Sequence, residues 1–268
     1  MSDPFAYETL SALSVQFDAG YALVTLNRPE RMNALSRVLL RELGALFRAL
    51  AVEPRARVII VTGSGEKAFC AGADLKERQS MTEDDVRALL GVYRDAFGAI
   101  DHCPKPVVAA IQGVALGGGF ELALACDLRV AAPNAVIGLP ETSLAIIPGA
   151  GGTQRLSRLI GPGRAKELIL LAKKMPAREG LGLGLVTALA AEGESPVEAA
   201  KQLTASLVNG APIALAAAME AIDLGADLDL EAGFLLEARC YEKTLGSNDR
   251  REALAAFSEG RKPVYTGT

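Results

Sequence analysis

Apolar and polar positions alternate over Leu13 to Phe17 and again over Tyr21 to Leu26, on either side of Asp18-Ala19-Gly20. A period of two with such a break predicts a β-hairpin. Asn27-Arg28-Pro29-Glu30 ends the second strand. Downstream of Ser36, a suitable N-cap, Leu39, Leu43, Leu46 and Leu50 share one face of an amphipathic helix running to about Ala51. Arg57 to Thr62 reads as a buried strand ending at Gly63, and Thr82 caps a helix through about Ile100. Pro106 to Ile111 is a further strand. A helix is expected from the triplet Gly117-Gly118-Gly119 to Cys126, then short strands at Leu128 to Ala131 and Val136 to Gly138.

After Pro148 the pattern changes. Thr153 to Ile160, Gly163 to Ala172 and Ala177 to Leu181 predict short helices. Ser195 to Asn209, Pro212 to Leu224, Leu230 to Leu245 and Asp249 to Ser258 predict longer ones. The first part is therefore mixed α/β and the last third nearly all helix. The division is placed at Gly193-Glu194-Ser195-Pro196, giving a core over 1–194 and a helical region over 195–268. The recurring strand-strand-helix order suggests stacked units, although no sequence repeat is visible. A terminal helical block of this kind is expected to pack on a neighbouring subunit.

With 268 residues, half of them apolar, the chain can bury a sizeable core without disulfides or metal staples. A formal charge of −4 provides no basic field for nucleic acid. Cys70, Cys103, Cys126 and Cys240 lack CxxC spacing, so no zinc site is expected, and scattered thiols of this sort point to the reducing cytoplasm. Met1-Ser2-Asp3-Pro4-Phe5 lacks a basic region followed by an apolar run, so no secretory signal is expected. No apolar run approaches a membrane span. The single histidine, His102, sits at an expected helix end, which leaves acid–base chemistry to carboxylates.

Two glycine-rich stretches carry the candidate chemistry. One is Ala71-Gly72-Ala73-Asp74-Leu75-Lys76; the other is Gly113 to Leu122, containing the glycine triplet and Glu121. Small residues let a ligand approach backbone N–H donors, and two such donors can stabilise an oxyanion, each by about 3 kcal/mol in a transition state. Whether the two stretches meet is not decided by spacing. Glu121 reads either as a favourable first-turn charge or, among apolar neighbours, as a buried functional acid. Glu141, after Pro140, reads as a solvated turn acid or as its partner. Gly63-Ser64-Gly65 and Gly149-Ala150-Gly151-Gly152-Thr153 lack the remaining residues of nucleotide motifs and read as tight turns before helices.

Taken together, Leu26 to Glu30 with Asn33-Ala34-Leu35, Lys67 to Leu75, Ala115 to Leu122, Cys126 to Arg129, Pro140-Glu141, Ile147 to Leu156 and Phe257 to Pro263 resemble the enoyl-CoA hydratase (crotonase) superfamily over about residues 12–265. The resemblance implies a crotonase spiral of ββα units with a C-terminal helical trimerisation region, assembled as a trimer or dimer of trimers. It assigns the oxyanion donors to Ala73 and Gly118 and the acid–base pair to Glu121 and Glu141. It implies an acyl-CoA thioester substrate, with coenzyme A as part of that substrate and no metal or redox cofactor. The binding set it suggests is Arg28, Lys67, Ala71, Ala73, Asp74, Leu75, Lys76 and Gly118, with the acyl tunnel walled by residues 78–100 and the C-terminal helices. In several relatives a lysine from a neighbouring tail reaches the nucleotide. Here that position is Gly260, followed by Arg261 and Lys262, so the contact passes to one of these or is lost.

Retention of both acids favours an enoyl-CoA hydratase, adding water reversibly to a 2-trans-enoyl-CoA. Ala71 to Arg78 and Glu141 to Pro148 also resemble the methylglutaconyl-CoA hydratases, a close alternative. Some members of that subgroup bind RNA, but the acidic balance here argues against it. A double-bond isomerase is a third reading.

Overall fold

The structure, a computed structural model, describes residues 5–268. The opening Met1 to Pro4, read above for a leader, lies outside the described residues. By internal packing the chain divides into two compact units. One comprises the described residues up to Cys103 with Val107–Leu203; the other is Pro104–Pro106 with Thr204–Thr268.

The first unit opens with the expected hairpin. Strands β1 (Leu13–Asp18) and β2 (Tyr21–Leu26) pair antiparallel around Ala19 and Gly20. Helix α1 (Arg37–Val52) follows, its first turn capped by the Ser36 hydroxyl, which accepts from the Leu39 N–H at 3.2 Å. Next come β3 (Val58–Gly63), β4 (Ala68–Cys70), the single-turn α2 (Leu75–Arg78) and α3 (Glu83–Asp101). The cap expected at Thr82 is present, and Asp85 extends it to a capping box. Strands β5 (Val107–Ile111) and β6 (Val114–Leu116) lead into α4 (Gly118–Leu124), and β7 (Leu128–Ala131) and β8 (Val136–Gly138) into a 3₁₀ turn at Glu141–Leu144. The remainder is α5 (Gly152–Ile160), α6 (Pro162–Leu170), β9 (Lys174–Pro176), α7 (Ala177–Gly182), β10 (Ala188–Leu189) and α8 (Pro196–Val208), which runs on past the unit boundary.

After the β1–β2 hairpin, which stays within one sheet, each successive strand pair contributes one strand to each of two sheets. The six-stranded sheet has the order β1-β2-β3-β5-β7-β10 and the four-stranded sheet the order β4-β6-β8-β9. This is the expected spiral of ββα units. In the small sheet β4, β6 and β8 are all parallel, so they end on the same side. Leu39, Leu43, Leu46, Phe47 and Leu50 of α1 are buried in one cluster with Phe69 and Phe97. Each such side chain contributes roughly 1.5–3 kcal/mol of burial.

Strands β4, β6, β9 and β10 were not expected from the hydrophobic pattern. Each has two or three residues, too few to display a period. Helix α4 stops at Leu124 rather than Cys126, because the buried Arg129 guanidinium draws on the Ala123 and Cys126 carbonyls there.

The second unit contains α9 (Pro212–Gly225), α10 (Leu230–Leu245) and α11 (Asn248–Glu259). The buried Asp249 carboxylate accepts from the N–H groups of Thr266 and Gly267 at 2.7 and 2.9 Å, folding the tail back on α11. Arg261 is tied to Glu252 and Glu259. Among the described residues no single helix is long and apolar enough to cross a membrane.

Close packing of α4 on β4 generates a paired test. A Cβ at Gly119 would overlap the Cys70 carbonyl, whereas one at Gly163 would meet nothing within 4 Å. Gly119→Ala is expected to cost about 3 kcal/mol, and Gly163→Ala to be neutral or stabilising by up to about 1 kcal/mol, by urea denaturation.

Candidate active site

Leaving β4, the chain is clamped by Leu35. The Gly72 carbonyl accepts from the Leu35 N–H at 2.8 Å, and the Leu35 carbonyl accepts from the Asp74 N–H at 3.2 Å. Leu35 thus bridges Ala73 in parallel fashion. Amides alternate in direction along extended backbone, so the N–H of Ala73 faces away from Leu35. Buried Asn33 fixes the same region, donating to the Ala68 and Ser64 carbonyls and accepting from the Arg28 N–H.

Leaving β6, the chain turns through Gly117, whose φ of +53° and ψ of −128° favour glycine. A Cβ here would also stand 3.1 Å from Glu141 Oε1. Gly118 opens α4, so its N–H has no intrahelical acceptor. Among the described residues neither the Ala73 nor the Gly118 N–H is taken by another backbone group. The two segments abut: a Cβ on Gly118 would lie 3.8 Å from the Ala73 nitrogen. The parallel pairing of β4 with β6 thus answers the question that spacing left open.

Glu121 is 3 % exposed, one turn into α4. Its Oε1 accepts from the N–H groups of Ala150 at 2.8 Å and Gly152 at 2.7 Å. The Gly149 to Thr153 stretch is therefore more than the expected tight turn before a helix. Its small residues bring two amides onto a buried carboxylate, and the glycine content that marked the other two loops was the available signal. Burial pushes the Glu121 pKa up; the Gly152 and Ala150 amides, with Arg155 and Arg78, offset part of the rise.

Glu141 lies on the 3₁₀ turn that follows β8, buried rather than solvated. Its Oε2 has no hydrogen-bond partner among the described residues. Burial pushes its pKa to about 7, and the negative Glu121 adds to the rise while Arg78 opposes it. Both acids line one cavity of about 950 Å³, together with Ala71, Ala73, Leu75, Gly117 and Gly118. Residues 78–100 contribute Arg78, Val86, Arg87, Leu90, Tyr93 and Arg94 to the same wall. Arg78 and Tyr93 carried no motif by which to single them out in the sequence.

Arg28, Lys67, Asp74 and Lys76 stand outside this lining. The Arg28 guanidinium donates to the Ala34 carbonyl and pairs with Asp74 at 2.8 Å. Asp74 in turn caps α2, accepting from the N–H groups of Lys76 and Glu77. Burial alone would raise the Asp74 pKa, but the Arg28 hydrogen bond and these amides outweigh it and hold the carboxyl below its usual range. Arg28 and Asp74 thus lock the turn that carries Ala73. Lys67 and Lys76 are exposed.

A raised carboxyl pKa makes a prediction for stability. The folded protein holds the Glu141 proton up to about pH 7, whereas an unfolded glutamate loses it near its ordinary value of 4.5. The associated stability is complete below the unfolded value and is lost as pH rises through the folded one. Glu141→Gln is therefore expected to match the parent at pH 4 and exceed it by on the order of 2 kcal/mol above pH 7, measured by denaturation across pH.

A sequence profile described as Enoyl-CoA hydratase/isomerase matches residues 16–268. The chain is 46% identical over 263 residues to the enoyl-CoA isomerase/hydratase fer4 of Mycosarcoma maydis, covering 95% of each. It is 43% identical over 251 residues to the mitochondrial methylglutaconyl-CoA hydratase of Mus musculus, covering 92% of this chain and 80% of the relative. A crystal structure of enoyl-CoA hydratase from Bacillus anthracis superposes with a TM-score of 0.93 at 46% identity, covering 96% of this chain and all of that one. The ββα spiral, the abutting glycine loops and these similarities place the chain in the enoyl-CoA hydratase/isomerase (crotonase) family.

Proposed function

We propose that this protein is an enoyl-CoA hydratase, adding water reversibly and with syn geometry to a 2-trans-enoyl-CoA to give the 3-hydroxyacyl-CoA. The observation that carries the reading is the presence of two buried acids in one cavity with two unpaired backbone N–H groups. An isomerase needs only to move a proton between carbons. A second acid facing the same space suits a reaction that must also activate water.

On this reading the thioester oxygen lies between the N–H groups of Ala73 and Gly118, which stabilise the charge that builds there. Glu121 positions the water and takes one of its protons as the oxygen bonds to C3. Glu141 delivers a proton to C2. Overall, hydroxyl adds to C3 and hydrogen to C2, and the proton gained by Glu121 passes back to reset the pair. The two carboxyls share one proton throughout and titrate together.

Coenzyme A, as part of the substrate, would lay its nucleotide end along Ala71, Ala73 and Leu75, with the exposed Lys67 and Lys76 nearest to its phosphates. Residues 1–194 would carry the site and 195–268 the assembly into a trimer or dimer of trimers. The exposed Ile222, Phe234, Leu235 and Phe257 of the C-terminal helices support that role. Four buried cysteines that form no disulfide among the described residues suit the cytoplasm.

Three outcomes are expected. Glu121→Gln and Glu141→Gln should each lower kcat/KM for crotonyl-CoA hydration by about 10²–10⁴, read from loss of the conjugated thioester absorbance. Hydration insensitive to both substitutions would defeat the assignment, and a shift of a 3-enoyl-CoA into conjugation without water uptake would favour the isomerase. The parent enzyme's kcat/KM should fall as pH rises through about 7, where Glu141 loses its proton. Hydration and dehydration should share this limb, because the pair ends each turnover with the proton count it began with. Sedimentation should give three or six times the chain mass of 28.0 kDa.

A further inference from the structure

Three buried side-chain atoms lack a hydrogen-bond partner among the described residues: Glu141 Oε2, Arg78 Nε and Tyr93 Oη. All three residues line the cavity that holds the acid pair. The proposed hydration accounts for Glu141 and leaves the other two unexplained. A buried polar group without a partner is costly, so two in a ligand cavity point to a ligand that supplies the acceptor.

Tyr93, on α3, is 2 % exposed. Its ring packs edge-on against Phe97, and Tyr93 Cε1 lies 3.6 Å from the place a Cβ on Gly118 would take. It therefore stands beside the oxyanion segment, deep in the cavity. Burial holds its hydroxyl far above the usual tyrosine range, which keeps it a neutral donor. Arg78 ends α2, the helix that begins just after Ala73. The acids near it in sequence are engaged elsewhere: Asp74 pairs with Arg28, and Glu77 accepts from the Arg37 N–H. Arg87 on the same wall is balanced by Glu83 and Asp84. Among the described residues Arg78 thus has no salt-bridge partner, though it lies close enough to lower the pKa of Tyr93, Glu121 and Glu141.

A guanidinium and a phenol that both donate, with nothing to accept, match the two oxygens of a carboxylate better than a hydroxyl or a methyl group. The phosphates of coenzyme A are the other anion available. On the proposed reading they lie toward the exposed Lys67 and Lys76, whereas Tyr93 is buried against Gly118. We infer that Arg78 and Tyr93 form a subsite for a carboxylate carried on the acyl chain, so that the preferred substrate is a 2-enoyl-CoA derived from a dicarboxylic acid. This inference rests on the hydratase reading for its substrate class.

Calorimetric titration of the full chain with glutaryl-CoA and butyryl-CoA tests it, because neither saturated thioester can be hydrated. The parent should bind glutaryl-CoA at least about tenfold more tightly. Arg78→Met should erase that ratio, and Tyr93→Phe should cut it by about threefold or more. Parallel kinetics should give the same ordering for glutaconyl-CoA over crotonyl-CoA, with the ratio of kcat/KM collapsing in Arg78→Met. A parent that binds butyryl-CoA as well as glutaryl-CoA overturns the subsite, as do variants that weaken both thioesters equally. Should Arg78→Met fail to fold, the parent titrations still decide, and Arg78→Lys should retain most of the preference. Glutaryl-CoA preference without hydration of either enoyl-CoA would sink the hydratase reading and leave the carboxylate subsite standing.

Discussion

Parallel pairing of three very short strands is the constraint on which the site depends. Because β4, β6 and β8 run the same way side by side, the segments that leave them emerge together. Ala73, Gly118 and Glu141 come from the first, second and third of these exits. Segments so short cannot hold one another in place alone. Leu35 clamps the first exit through two backbone hydrogen bonds, Asn33 pins the strand before it, and the carbonyl of Gly138 accepts from Gly117 at the second. The helix that carries Glu121 can approach β4 only because residue 119 has no side chain. Positioning is thus largely a property of the backbone.

The electrostatics of the cavity oppose stability. Two carboxyls are withdrawn from water in one space, and neither has a salt-bridge partner among the described residues. Glu121 is compensated by two backbone amides, which also fix its orientation. Glu141 has no comparable donors on Oε2, and its raised pKa reflects that uncompensated burial. The same asymmetry separates the proposed roles. The acid held by amides is suited to orient a water, and the acid that keeps its proton near neutrality is suited to give it up. The proximity of Arg78 moderates the repulsion between them.

Much of the frame was legible in the chain. The hairpin, α1 with its Ser36 cap, α3 with its Thr82 cap and the C-terminal helices all follow from periods and caps that act within one element. Glu121 could be marked as unusual because Phe120, Leu122, Ala123 and Leu124 around it promise burial. Elsewhere local reading stopped short. Glu141 read equally as a turn acid or as the partner of Glu121, because burial of a loop residue depends on distant packing. The amides of Ala150 and Gly152 looked like a turn because their acceptor is some thirty residues away in sequence. Arg28 and Asp74, which the resemblance suggests as ligand contacts, are paired with each other outside the cavity lining, a pairing that no local pattern records.

The sequence by itself therefore determined the elements, the apolar faces that bury them and the residue types able to donate N–H groups and exchange protons. These are properties of a residue and its near neighbours. Only the tertiary structure decided which donors share a cavity, which acid lacks compensation and which cations are already paired. Those outcomes depend on strands that meet across roughly twenty to forty-five residues and on the loss of water around them, and no local period records either.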